Sequence, residues 1–123
     1  MIKLHIVLVT KYRKHILVDE IDNDVKQIIY EISKMDDSLF VIDSMETDKD
    51  HIHILVDIDP TISATSIVSR IKQMSTIRMW KQYPIELKKH YWSENTLWSD
   101  GYFVCSTGDA SMETIKKYIE EQG

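Results

Sequence analysis

Residues 51–58, HIHILVDI, alternate without a break: Ile52, Ile54, Val56 and Ile58 fall on one side, and His51, His53, Leu55 and Asp57 on the other. A period of two with β-branched residues on one side specifies a strand with one dry face. A slip of one residue would turn all four apolar side chains into water, so the register is strongly fixed. The segment therefore lies in a sheet whose isoleucine face is covered by helices. It also raises a question of chemistry, because the opposite face carries two histidines.

The rest of the chain supplies the layers. Residues 2–10 alternate and then run apolar (Ile2, Leu4, Ile6, Val7, Leu8, Val9), as a central strand does. From Asp19 the spacing becomes helical, with Ile21, Val25, Ile28, Ile29, Ile32 and Met35 on one stripe and acids in the first turn. Residues 39–45 read as a second strand, joined to 51–58 by the charged turn ETDKD. After Pro60 and Thr61 a long helix carries Ile67, Ile71 and Met74 on one face. KQYPIELKKHYW reads as a connection, with irregular helix before Pro84 and a short helical turn after it. LWSDGYFVCS reads as strand around an Asp-Gly turn. Ser111, a good N-cap, opens a last helix that stops at a glycine. The order β-α-β-β-α-β-α predicts an α+β, ferredoxin-like (split βαβ) antiparallel sheet with an added C-terminal helix. Its first and third strands form the central pair, two helices cover one face, and only the last helix is left for the other.

With 123 residues the chain makes one domain, residues 1–123. Its apolar runs are strand-sized and far from the ~20 residues of a membrane span. MIKLHIVLVTKYRK lacks a small-residue cleavage site and reads as the first strand rather than a leader. The single Cys105 excludes an internal disulfide, which suits a reducing cytoplasm. A net charge of −5 argues against nucleic acid only on average. The acids crowd into residues 19–59, whereas residues 1–18 hold Lys3, Lys11, Arg13 and Lys14 with no acid, so a local basic surface remains available.

Two imidazoles two residues apart on a strand stand about 7 Å apart at the backbone and point the same way, so both can reach one metal ion. Taken alone, such a pair is more often ordinary polar decoration of an open face. In the last helix, Tyr118 and Gln122 lie one turn apart on one face, with Ile115 and Ile119 beside them to seat the helix on the sheet. Alone, this is an amphipathic helix with a tyrosine at its apolar edge. Together, the two features bring a phenol and a carboxamide toward the histidines.

DHIHILVDIDP, IKQMSTIR after it, then LWSDGYFV and IKKYIEEQ, with VTKYRK after the first strand, resemble in the same order the HUH single-tyrosine transposases of the smallest bacterial insertion sequences. The resemblance covers nearly the whole chain. It implies that His51, His53 and Gln122 bind a divalent metal, Mg²⁺ or Mn²⁺, and that Tyr118 is the nucleophile. It implies a homodimer acting on single-stranded DNA hairpins, with the tyrosine helix of one subunit often placed over the histidines of the other. Lys11, Tyr12, Arg13 and Lys14, together with Lys72 and Arg78, would then be DNA contacts. Trp80, Trp92, Trp98 and Tyr102 are available to stack bases, although aromatics in such segments more often serve the core.

The implied ligands are all neutral, so weak metal affinity without DNA is expected. Lys116 or Lys117 is a candidate to favour the Tyr118 phenolate. Two rival readings stay open from the residues: a ferredoxin-like nucleic-acid or metal-binding module without catalysis, and a domesticated relative that nicks hairpins.

Overall fold

The computed structural model describes residues 2–35, 39–106 and 112–121. Strand β1 (Ile2–Val9) leads through a single 3-10 turn (Lys11–Arg13) to helix α1 (Asp19–Ser33). Strands β2 (Phe40–Asp48) and β3 (His51–Ile58) form a hairpin, followed by helices α2 (Ala64–Gln82) and α3 (Pro84–Tyr91). Strand β4 (Phe103–Ser106) and helix α4 (Met112–Glu121) complete the fold. The sheet is antiparallel with order β2-β3-β1-β4, so β1 and β3 are the central pair, as the split βαβ pattern requires.

Ile52, Ile54, Val56 and Ile58 are all buried with Ile6 and Leu8 in the main core. The stripe Val25, Ile28, Ile29 and Ile32 of α1 and Ile67, Val68 and Ile71 of α2 close over them. Each such side chain contributes roughly 1.5–3 kcal/mol by leaving water. Helix α2 is capped by Ser63, whose hydroxyl accepts from the Ser66 N–H at 3.1 Å. Pro84 opens α3, a regular helix rather than the single turn expected, because its missing N–H falls where a helix start leaves one unused. Leu87 and Tyr91 anchor it in the core.

Two local expectations change. Strand β2 runs on through Asp48, so the β2–β3 hairpin closes at Lys49 and Asp50 rather than over five residues. The segment around the Asp-Gly turn supplies only a Thr10–Trp98 bridge before β4 begins at Phe103. Ser111 lies outside the described residues.

The open face has a second, smaller cluster. Val7 and Val9 of β1 meet Ile119 of α4, with Phe103 and Tyr118 beside them. Helix α4 therefore seats on the β1–β4 side of the open face and leaves the β3–β2 side accessible.

Candidate active site

His51 and His53 line a cavity of about 720 Å³ between the open face and α4. Its other walls include Arg13 and His15 from the loop after β1, Glu46 and Asp48 from β2, and Lys116 and Glu120 from α4. The β2 acids are there because of a register shift. Ile42 pairs with Val56 but Ser44 pairs with Leu55, leaving Asp43 as an extra residue in a bulge. Beyond the bulge Glu46 stands directly opposite His53, and Asp48 opposite His51. Carboxylates thus flank the imidazoles along the cavity wall.

Asp50 orients one histidine. It is only 7% exposed. One carboxylate oxygen accepts from His51 Nδ1 at 2.9 Å, and the other accepts from Arg13 Nε at 3.1 Å. Burial alone would push its carboxyl pKa up, but the hydrogen bonds from His51 and Arg13 outweigh that and hold it below the ordinary value. The turn that carries Asp50 is stitched to the loop after β1, where the Thr10 N–H donates to the Asp50 carbonyl at 2.9 Å and the Leu17 N–H to the Lys49 carbonyl at 3.0 Å. With Nδ1–H committed to Asp50, His51 keeps Nε2 as a lone-pair donor. Metal-binding histidines are commonly held in this way.

His53 has a different partner. Its Nε2 lies 2.7 Å from Nδ1 of His5, a β1 residue on the same face. Burial and the neighbouring His5 lower the His53 pKa, so the neutral ring that a metal requires is favoured. The described residues offer one imidazole, His51, with its Nε2 left for coordination and a second, His53, whose Nε2 is engaged with His5, but no group of three His, Cys, Asp or Glu side chains able to hold an ion. The donor set suits a divalent ion that takes a further ligand from elsewhere. Gln122, the residue expected to supply it, lies outside the described residues.

Tyr118 is carried by α4 but is not among the residues lining the cavity. Its ring packs on Phe103, with centroids 5.6 Å apart. Its hydroxyl is buried and has no hydrogen-bond partner among the described residues. Burial pushes the phenol up to about 12. Lys116, one of the two candidates to favour the phenolate, faces the cavity instead. In this arrangement the phenol is sheltered.

The expected DNA contacts are largely engaged within the chain. Lys11 pairs with Asp100 at 3.2 Å, Tyr12 donates to Glu94 at 2.9 Å, and Arg13 binds Asp50. Lys72 donates to the Ser99 and Asp100 carbonyls, and Arg78 pairs with Glu31 at 2.5 Å on the helical side of the sheet. The charge of Lys14 contributes to lowering the His90 pKa. The sequence reading missed Asp50, His5 and Glu46 as parts of the site. The HxH spacing pointed at the strand face, but the partners of the two rings come from a turn and from neighbouring strands.

Residues 1–122 match the family model described as "Transposase IS200 like". The chain is 33% identical over 121 residues to the ISDra2 transposase TnpA of Deinococcus radiodurans, covering 98% of this chain and 84% of that one. It is 29% identical over 120 residues to the transposase for insertion sequence element IS200 of Salmonella typhimurium, covering 98% and 76%. Among solved structures it superposes on a Deinococcus radiodurans protein assigned as a transposase with a TM-score of 0.87, at 29% identity over 98% of this chain and 89% of that one. A REP-associated tyrosine transposase bound to a REP hairpin shares the fold, with a TM-score of 0.61 and 11% identity over 97% of this chain and 62% of that one. With the family model matched from end to end and the fold shared, the chain belongs to the IS200-like transposases.

Proposed function

We infer that this transposase is a metal-dependent enzyme that cleaves and rejoins single-stranded DNA at hairpin-bearing element ends through a covalent 5′-phosphotyrosine intermediate. The observation that carries this reading is the joint placement of His51 and His53 in one cavity beside the helix that bears Tyr118. His51, held by Asp50, and His53 would hold Mg²⁺ or Mn²⁺ together with Gln122. The chemistry such an ion supplies is orientation of the scissile phosphate and stabilisation of the charge that develops during in-line attack.

Tyr118 Oη then forms the new bond to phosphorus while the bond to the 3′-oxygen breaks. The phenolic proton is given up and the departing 3′-oxygen gains one, leaving a free 3′-hydroxyl. The linkage keeps the phosphodiester's energy, so a later 3′-hydroxyl reverses the step and joins strands without ATP. To reach the histidines, Tyr118 has to leave Phe103, either by movement of α4 within its own chain or by exchange of α4 between the subunits of a homodimer. Arg13 and His15 on the cavity wall, with Lys14 between them, would meet the DNA, whereas Lys11, Tyr12, Lys72 and Arg78 would first have to exchange their partners within the chain for phosphates. The hairpin substrate is inferred from the fold shared with a tyrosine transposase captured on a hairpin. Among the described residues no helix is long and apolar enough to cross a membrane. A reaction on the cell's own DNA would take place in the cytoplasm.

The test is incubation with Mn²⁺ and a pool of single-stranded hairpin oligonucleotides, followed by denaturing gel electrophoresis and peptide mass spectrometry. DNA attached to Tyr118, absent in Y118F, is expected. DNA binding without any adduct would instead support a non-catalytic binding module.

A further inference from the structure

Three non-glycine residues adopt a left-handed φ in one corner of the surface: Tyr12 at 59°, Arg13 at 52° and Trp92 at 54°. Conformations of this kind cost of order 1–3 kcal/mol each and cluster where a side chain has to be aimed. The two segments meet. The Tyr12 and Tyr91 rings lie 6.4 Å apart, and the Tyr12 hydroxyl donates to Glu94. Trp92, which ends α3, leaves 80% of its surface exposed. The other two tryptophans are committed to the fold, Trp80 donating to the Thr96 carbonyl and Trp98 to the Ser75 hydroxyl.

The surroundings of Trp92 are basic. Lys88, Lys89 and His90 form the last turn of α3. Burial, followed by the charges of Lys14 and Lys89, depresses the His90 pKa, so the loop lysine and the helix lysine both act on this corner. Of the nearby acids, Glu94 is held by Tyr12, and Glu86 lies in the first turn of α3. Lys11, Arg13, Lys72 and Arg78 are occupied inside the chain, whereas Lys88 and Lys89 are exposed. Arg13 and His15, on either side of Lys14, line the histidine cavity, so this basic corner runs directly into it.

We propose that Lys14, Lys88, Lys89 and Trp92 form a landing platform for single-stranded DNA leading into the histidine cavity, with phosphates on the lysines and one base stacked on the Trp92 indole. The platform rests on the strand-transfer reading above and names where its substrate is held. Aromatic stacking beside cations is the general means of holding single strands.

The experiment titrates the full chain against a fluorescein-labelled oligothymidylate of about 20 nucleotides, long enough to span the site, and reads anisotropy over a range of salt. K88Q/K89Q is expected to shrink the log–log salt slope by about 1.4, at roughly 0.7 per lost phosphate contact. W92A is expected to weaken binding about 5- to 150-fold, the usual worth of a stacked base. K34Q, at the end of α1, should leave both unchanged. The bound strand should quench tryptophan emission in the wild type but not in W92F, a readout that does not depend on the alanine variant folding. If the Trp92 and Lys88/Lys89 variants bind like the wild type, the platform is refuted while the DNA reading stands. An equal loss in K34Q would also refute it, by exposing a bulk-charge effect. If the wild type binds no strand at any salt, the platform is refuted, and the strand-transfer reading is decided separately by the hairpin adduct on Tyr118.

Discussion

Removing one oxygen atom from Tyr118 is expected to make this protein more stable and inactive at once. In Y118F the ring keeps its packing on Phe103, and Ile119 keeps Val7 and Val9. Only the buried hydroxyl, which lacks a partner among the described residues, is lost. An unpaired buried hydroxyl costs about 1–3 kcal/mol, so its removal should return a gain in that range. For a domain of this size each kcal/mol corresponds to a rise of about 3–5 °C in Tm. Urea melts of the two proteins, with amide exchange along α4, measure the gain and show whether the helix undocks with the rest or before it.

A second arm uses pH. The folded Tyr118 pKa, raised by burial to about 12, lies above its ordinary value of 10.0. The unfolded chain therefore loses this proton first. The associated stability is fully present below pH 10 and is lost as pH rises from 10 through 12. Y118F should lack this component, while Tyr83 and Tyr91, also raised, titrate in both proteins and cancel in the difference. Y118F no more stable than the wild type, with parallel alkaline melts, would refute the reasoning and mean that the hydroxyl is hydrogen-bonded in solution. A nucleophile stored at a cost in stability, the role proposed above for Tyr118, would be a familiar trade at functional sites.

Two predictions concern the histidines. D50N should leave the fold intact and weaken Mn²⁺ binding about 10- to 100-fold by calorimetry, since it loses the charge that holds His51. Unchanged affinity would remove Asp50 from that role. H5A should tighten Mn²⁺ binding about 2- to 10-fold, the worth of one net hydrogen bond, because His53 would no longer have to surrender its contact with His5. Weaker binding in H5A would instead make His5 a ligand.

By itself the sequence determined the layers and the faces. The alternation in 51–58 put isoleucines in the core and histidines on the open side, and the stripes of α1 and α2 supplied the cover. These are local periodicities, readable from spacing because an apolar face has only one place to go. The four motifs in order also carried the family, which the match over residues 1–122 bears out. Only the tertiary structure decided what stands beside the histidines. The bulge at Asp43 set which acids oppose them, the hairpin closing at Asp50 brought a carboxylate to His51, and β1 delivered His5 to His53 from 48 residues away. It also turned Tyr118 onto Phe103 and tied up Arg13 and Arg78, leaving Trp92, Lys88 and Lys89 exposed. Polar side chains on an open face have many possible partners. Which of them they meet depends on cross-strand register and loop path, and neither has a period along the chain.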